Sequence, residues 1–182
     1  MVLVALLVFN LLYDPEFFRI QMREGALYGS LIDILFFGSP LALVAIGMTL
    51  VIATRGIDLS VGSVVAIAGA IACLTISKGA DQNDPGLVLA AIGLALAASA
   101  VLGLWNGFLV TRFGIQPIVA TLILMVAGRG IAQLITSGQI ITVISPNYEI
   151  IGGDSLLTLP VSVYIVALVF ALAALLTRKT AL

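Results

Sequence analysis

The sequence predicts an all-α bundle of about six membrane-spanning helices. Three observations carry that reading. Of 182 residues, 62% are hydrophobic and only 9% charged, and the mean hydropathy is +1.25, whereas a soluble domain carries roughly 25% charged residues. The apolar residues are gathered into long runs, near the roughly 20 residues that a helix needs to cross a bilayer core. No segment alternates with period two for long enough to form a transmembrane barrel strand.

The elements follow in order. Met1 to Leu12 is apolar but too short to cross alone, and with no basic residues before it, it reads as the end of a helix in preference to a signal peptide. Tyr13 to Gly29 mixes charges with Phe17, Phe18, Ile20 and Met22, which predicts a short helix lying in the membrane interface. Leu35 to Ala53 is the next span. The connection Arg55 to Ser60 precedes a shorter apolar run, Val61 to Ile76, which can borrow Asp58 and Ser60 as its first turn. Lys78 to Gly86 is a polar loop, Leu87 to Val110 a long span, and Thr111 to Pro117 a tight connection holding a Gly and a Pro. Ile118 to Ile135 is the next span. Thr136 to Pro160 is a long loop with "SPN" and "GGD" turn signals, and Leu156 to Leu176 supplies the last span.

Charge sets the orientation. Six alternating spans place Arg55, Arg112, Arg178 and Lys179 on one face, in short connections. The opposite face has Arg19, Arg23 and Lys78 beside the acids Asp14, Glu16, Glu24, Asp81, Asp84, Glu149 and Asp154. The positive-inside rule assigns the first face, and with it the N-terminus, to the cytoplasm.

Composition also removes whole classes of chemistry. There is no histidine, so Ser-His catalysis and His-based zinc sites are excluded, and the one cysteine, Cys73, has no partner for an internal disulfide. Cys73 sits in an apolar run and reads as a small packing residue. No activated nucleophile or pair of acids converges, so no catalytic residue and no metal ligand is expected, and a net charge of -1 offers nothing to nucleic acid. Small residues recur every four positions at Ala91, Ala95, Ser99, Gly103 and Gly107, and again at Gly62, Ala66 and Ala70. Such stripes let helices approach closely in lipid, for packing or for faces that slide as a pathway opens.

A few polar residues stand out against this background. In "RGIDLSVGS", Gly56 permits a turn, Asp58 or Ser60 can cap the helix beginning near Val61, and Arg55 can neutralise Asp58. Arg55, Gly56, Ser60 and Gly62 are then a structural motif, either a capped turn at the cytoplasmic edge or the rim of a polar pathway with Asp58 deeper in the membrane. Periodicity does not separate the two. Arg129 lies near the middle of "LILMVAGRGIAQLI", with Gln133 one turn later and Gly128 and Gly130 leaving room for another backbone. It either snorkels to an interface or pairs inside the bundle, with Asp58 or an acid outside this sequence a candidate partner, or lines a polar cavity. Asn106, beside Trp105, either bonds between helices or lies at headgroup level.

Two strings, "IGMTLVIATRGIDLSVGSVVAIAGA" and "LWNGFLVTRFGIQPIVATLILMVAGRG", closely resemble the permease subunits of bacterial ABC importers for monosaccharides, the ribose type. The resemblance extends over essentially the whole chain. It implies one transmembrane permease domain over residues 1–182, forming the first half of a roughly ten-helix permease, with the ATPase-docking loop of the family falling beyond "TRKTAL". It also implies a second permease copy around a central path, a periplasmic sugar-binding protein, and two cytoplasmic ABC ATPase subunits in the bacterial inner membrane. The substrate would be a galactofuranose-like or ribose-like sugar. The chain has no G-x-x-x-x-G-K-[ST] loop, so it is not expected to be an enzyme, and ATP and Mg would act through the partner ATPase. On this reading Asp58 and Arg129 are polar anchors of the pathway or its gate, with Asn106, Gln116 and Gln133 as further candidates. A secondary transporter or channel subunit, or a membrane scaffold without a pathway, is the alternative.

Overall fold

The structure, a computed structural model, describes residues 1–13, 15–23, 26–152, 155–156 and 158–179. The expected "GGD" turn at Gly153 and Asp154, the acids Asp14 and Glu24, and the end of the chain from Thr180 lie outside the described residues. Helices are α1 (Val2–Tyr13), α2 (Ser30–Ala53), α3 (Val61–Ser77), α4 (Pro85–Phe113), α5 (Pro117–Ile135), α6 (Pro146–Gly152) and α7 (Val161–Lys179). Two small hairpins, β1 (Gln21–Arg23) with β2 (Ala26–Tyr28) and β3 (Ser155–Leu156) with β4 (Leu159–Pro160), complete the described elements. The fold is all-α. Among the described residues, α2, α4, α5 and α7 are long and apolar enough to cross a membrane, while α1 and α3 are shorter apolar helices. All six expected runs are helical, with ends within a few residues of expectation except for α2, which starts five residues earlier, and α7, which starts five residues later.

The chain divides into two compact units, Met1–Ile46 with Glu149–Ala181, and Gly47–Tyr148. In the first, the expected interfacial helix over Tyr13 to Gly29 is corrected. A 3-10 turn at Pro15–Phe18 is followed by the antiparallel β1–β2 hairpin, with Met22 opposite Leu27. Gly29 joins β2 to α2 at φ +151°, and a Cβ there would lie 2.6 Å from the Arg19 carbonyl oxygen. That close approach admits only glycine and directs the chain out of the hairpin into α2. The Leu27 amide donates to the Thr158 carbonyl at 3.0 Å, tying β2 to the turn between β3 and β4. Within α2, Pro40 has no N–H to offer the Phe36 carbonyl, and the Ser39 hydroxyl bonds back to the Leu35 carbonyl at 2.6 Å.

The second unit is built around α3, which packs against both α4 and α5, while these two touch each other far less. The buried residues of α3 are Ser63, Ile67, Ala70, Ala72 and Ile76, those of α4 are Val88, Ala91 and Asn106, and those of α5 are Ala120, Thr121, Leu124 and Gly128. Among the described helices the small-residue stripes meet a neighbour only in part. Ala70 and Ala91 are buried, but Ala66, Gly103 and Gly107 are exposed, and Gly62, Gly103 and Gly107 have open space where a Cβ would stand. The close approach uses Gly128 instead, where a Cβ would lie 2.9 Å from both Cβ and Oγ of Ser63.

Local chemistry explains the ends. Asp84 caps α4, its side chain accepting from the Gly86 amide at 3.0 Å, with Pro85 in the first turn where its missing N–H costs nothing. Gly114 closes α4 in the left-handed conformation at φ 67°. Pro117 opens α5. At one end of the unit the 78–86 loop meets the segment before α6 and the first turn of α6, where Gln82 Oε1 accepts from the Ile144 amide at 3.1 Å and Asn147 Nδ2 donates to the Asn83 carbonyl. Two of the three connections expected to share one face, the 78–86 loop and the segment from Thr136, are thus in contact.

Candidate functional site

The head of α3 holds a buried polar knot. Ser60, 1% exposed, stands at the N-cap position in a helical conformation, and its side chain does not cap the helix. Nor does Asp58 cap α3, which corrects the expected role of both residues. Asp58 Oδ1 instead accepts from the Ser60 amide at 2.7 Å and from the Ser60 hydroxyl at 2.6 Å. Of the free amides in the first turn of α3, that of Ser63 is met by the chain itself, donating to the Ser60 carbonyl at 3.0 Å, and the Val64 amide makes the first regular helix bond to the same carbonyl at 3.0 Å. Asp58 and Ser60 therefore precede α3 and do not form its first turn.

Two other helices bind this knot. Asn106 of α4, 8% exposed, donates from Nδ2 to Ser60 Oγ at 3.1 Å. Of its two sequence readings, the structure shows the interhelical bond, while Trp105 beside it is exposed. A serine hydroxyl has one proton, and here Asp58 takes it, so Ser60 Oγ receives from Asn106 and the orientation of the amide is fixed. From α5, the Leu124 carbonyl accepts from Ser63 Oγ at 3.1 Å, a proton shared with the Ser60 carbonyl at 2.7 Å. The Thr121 hydroxyl lies 3.4 Å from the Ile57 carbonyl, though Pro117 of its own helix is closer at 2.9 Å. Ser63 and Thr121 were not singled out in the sequence. Their signal is positional, since both hydroxyls fall on the buried faces of otherwise apolar helices.

Arg55 does not neutralise Asp58. It is exposed, in the left-handed region at φ 61°, and among the described residues it forms no ion pair. Gly56 follows in the same turn, and a Cβ there would lie 3.1 Å from the Val51 side chain.

Arg129 and Gln133 form a second constellation, apart from the knot. Four residues apart, they share one face of α5, and both are exposed. Arg129 has no hydrogen bond or ion pair among the described residues, so the candidate pairing with Asp58 is not made. Gln133 lines a groove of about 270 Å³ between α3 and α5, with Ala66, Gly69, Ala70 and Cys73 on one wall and Ala132 and Thr136 on the other. These small residues of α3 thus face the polar side of α5. Of the two glycines flanking Arg129, Gly128 admits the neighbouring helix and Gly130 meets only open space. Gln116 is at the N-cap position of α5, exposed and without a side-chain cap. Cys73 is half-buried. Tyr148, on α6 outside the spans, has its phenol pKa raised by burial first and by Cys73 second.

An all-α chain with four apolar helices of 19 to 29 residues, a polar knot across helices and an unpaired arginine well inside one of them is a multi-pass membrane protein. The family described as "Branched-chain amino acid transport system / permease component" matches residues 30–182, and the chain belongs to it. It is 54% identical over 181 residues to the galactofuranose transporter permease protein of Escherichia coli, covering 99% of this chain and 51% of that protein. Identity is 37% to the fructose import permease protein of Bifidobacterium longum, over 98% of this chain and 50% of the relative. It is 36% to the ribose import permease protein of Escherichia coli, over 92% and 50%. The chain spans about half the length of the curated relatives it matches. No solved structure matches it.

Proposed function

We propose that this chain is the matched half of a permease that carries a monosaccharide across the bacterial inner membrane, with its N-terminus in the cytoplasm. The observation that carries this reading is the 54% identity to a galactofuranose permease over 99% of the chain. A galactofuranose-like sugar is accordingly the first candidate substrate and a ribose-like one the second. The described residues act as one permease domain that works with a second permease copy, a periplasmic sugar-binding protein and cytoplasmic ATPase subunits. ATP and Mg bind in those ATPase subunits, and this chain supplies no covalent chemistry. Transport is then a shift between access states driven by differential binding of the partners.

Within that scheme the residues divide by role. Asp58, Ser60 and Asn106 position the head of α3 against α4, and Arg55, Gly56 and Gly62 shape the approach to it. Arg129 and Gln133, exposed on one face of α5 beside small residues of α3, line the pathway or its gate. An unpaired charge inside a span costs about 2.5–3.5 kcal/mol on insertion scales, which favours a polar surrounding for Arg129 in the assembled transporter. Gln116 lies at the mouth of α5.

The test is uptake of radiolabelled galactofuranose and ribose in cells that lack the native permease but retain its binding protein and ATPase. The chain is compared alone and fused to the remaining half of the 54%-identical relative. ATP-dependent uptake by the fused form supports the importer reading. Uptake that persists with an inactive ATPase overturns it in favour of a channel or secondary carrier.

A further inference from the structure

The bond between Asn106 and Ser60 leaves one polar atom unaccounted for. Because Ser60 Oγ gives its proton to Asp58, Asn106 presents Nδ2 to Ser60, and its carbonyl oxygen Oδ1 is buried with no partner among the described residues. A buried acceptor in that state costs roughly 1–3 kcal/mol until a donor reaches it. Asn106 also forms part of the wall of an apolar groove of about 360 Å³ between α4 and α5, where those helices separate. The rest of the wall includes Val101, Leu102, Ile123, Leu124 and Ala127.

We propose that this groove receives an apolar transmembrane helix carrying one hydrogen-bond donor, supplied by the other half of a full-length permease, whose donor meets Asn106 Oδ1. Three features point to that occupant. A lipid acyl chain fills an apolar groove but has no donor. A lone water needs 2–4 polar partners, and apart from Asn106 and the indole of Trp105 the groove is walled by aliphatic side chains. The curated relatives carry about as many residues again outside the matched segment, enough for several further spans. Interhelical hydrogen bonds of this kind are a recurrent means of fixing register between helices in lipid.

The inference rests on reading the chain as half of a permease, and its test does not need transport. In the fused form described above, with Cys73→Ser, a cysteine is placed at Ile123, which is 59% exposed on the groove wall. Single cysteines are then scanned through the helices of the other half. The expected result is crosslinking to one helix at positions three or four apart, with a donor side chain on the same face. Replacing that donor by leucine lowers the melting temperature when Asn106 is present and at least halves that effect in Asn106→Leu. Crosslinking only between identical cysteines of two copies assigns the groove to a second copy and overturns the proposal. So does labelling by a lipid-borne probe with no helix crosslink. If the fusion does not accumulate, the same pairs are made at the aligned positions of the full-length galactofuranose relative, where the same outcomes decide. Crosslinking without uptake leaves this inference standing and sinks the importer reading alone; uptake without crosslinking does the reverse.

Discussion

Asn106 on α4 donates to the hydroxyl of Ser60 at the head of α3, a bond between residues 46 positions apart. It makes the short connection before α3 a fixed joint, because the same hydroxyl holds Asp58 at 2.6 Å.

Ser60→Ala removes that shared hydroxyl and strands Asn106 Nδ2 in the interior. The expected loss is about 1–3 kcal/mol, read as a lower melting temperature of the purified permease in nanodiscs. An unchanged melting temperature would show that the knot contributes nothing to stability.

Gly128 and Gly130 should respond in opposite ways. Alanine at Gly128 puts a Cβ 2.9 Å from Ser63, whereas alanine at Gly130 meets nothing within 4 Å. Overpacking of this kind costs about 1–3 kcal/mol, so Gly128→Ala lowers thermal stability while Gly130→Ala leaves it unchanged or slightly raised. Equal effects at the two sites contradict the assigned contact between α3 and α5.

Arg129→Ala separates function from fold. The side chain is exposed and unpaired among the described residues, so its loss should leave melting unaffected and reduce sugar uptake by the full-length assembly at least tenfold. Arg129→Lys, which keeps the charge, should recover part of the uptake. Full activity in Arg129→Ala removes this residue from the pathway.

Tyr148 carries the pH prediction. Burial raises its folded pKa above the ordinary value of 10.0, with Cys73 adding to the shift. A raised phenol pKa means that the unfolded chain releases its proton first, so this group leaves stability untouched below about pH 10 and lowers it as pH rises from there through the folded value. Tyr148→Phe should show a smaller fall in stability between neutral and strongly alkaline pH than the parent chain.

The spans were legible because crossing a bilayer demands length and apolarity, and both are written directly in a run such as Ile118 to Ile135. The ends were less so. The run beginning at Leu87 did not reveal that α4 starts at Pro85 under the Asp84 cap, since capping depends on a polar side chain and not on hydropathy. The hairpin at Gln21 to Tyr28 was missed because three-residue strands leave too short a pattern to distinguish from an amphipathic turn. In the candidate site, Asp58, Ser60, Asn106 and Arg129 were visible as polar residues in apolar surroundings. Which of them meet was not, because the pairing of Ser60 with Asn106 is decided by how α3 and α4 pack. Ser63 and Thr121 escaped because a hydroxyl that bonds to its own helix is inconspicuous in any membrane span.

The left-handed backbone at Arg55, φ 61°, bears on how this protein would respond to laboratory evolution. An L-residue there gives up roughly 1–2 kcal/mol, while glycine gives up almost none of it. A library screened for heat resistance alone would therefore drift toward glycine at position 55. It would discard one of the few cations available to fix how the chain threads the bilayer, and a more robust protein would emerge with a less certain topology.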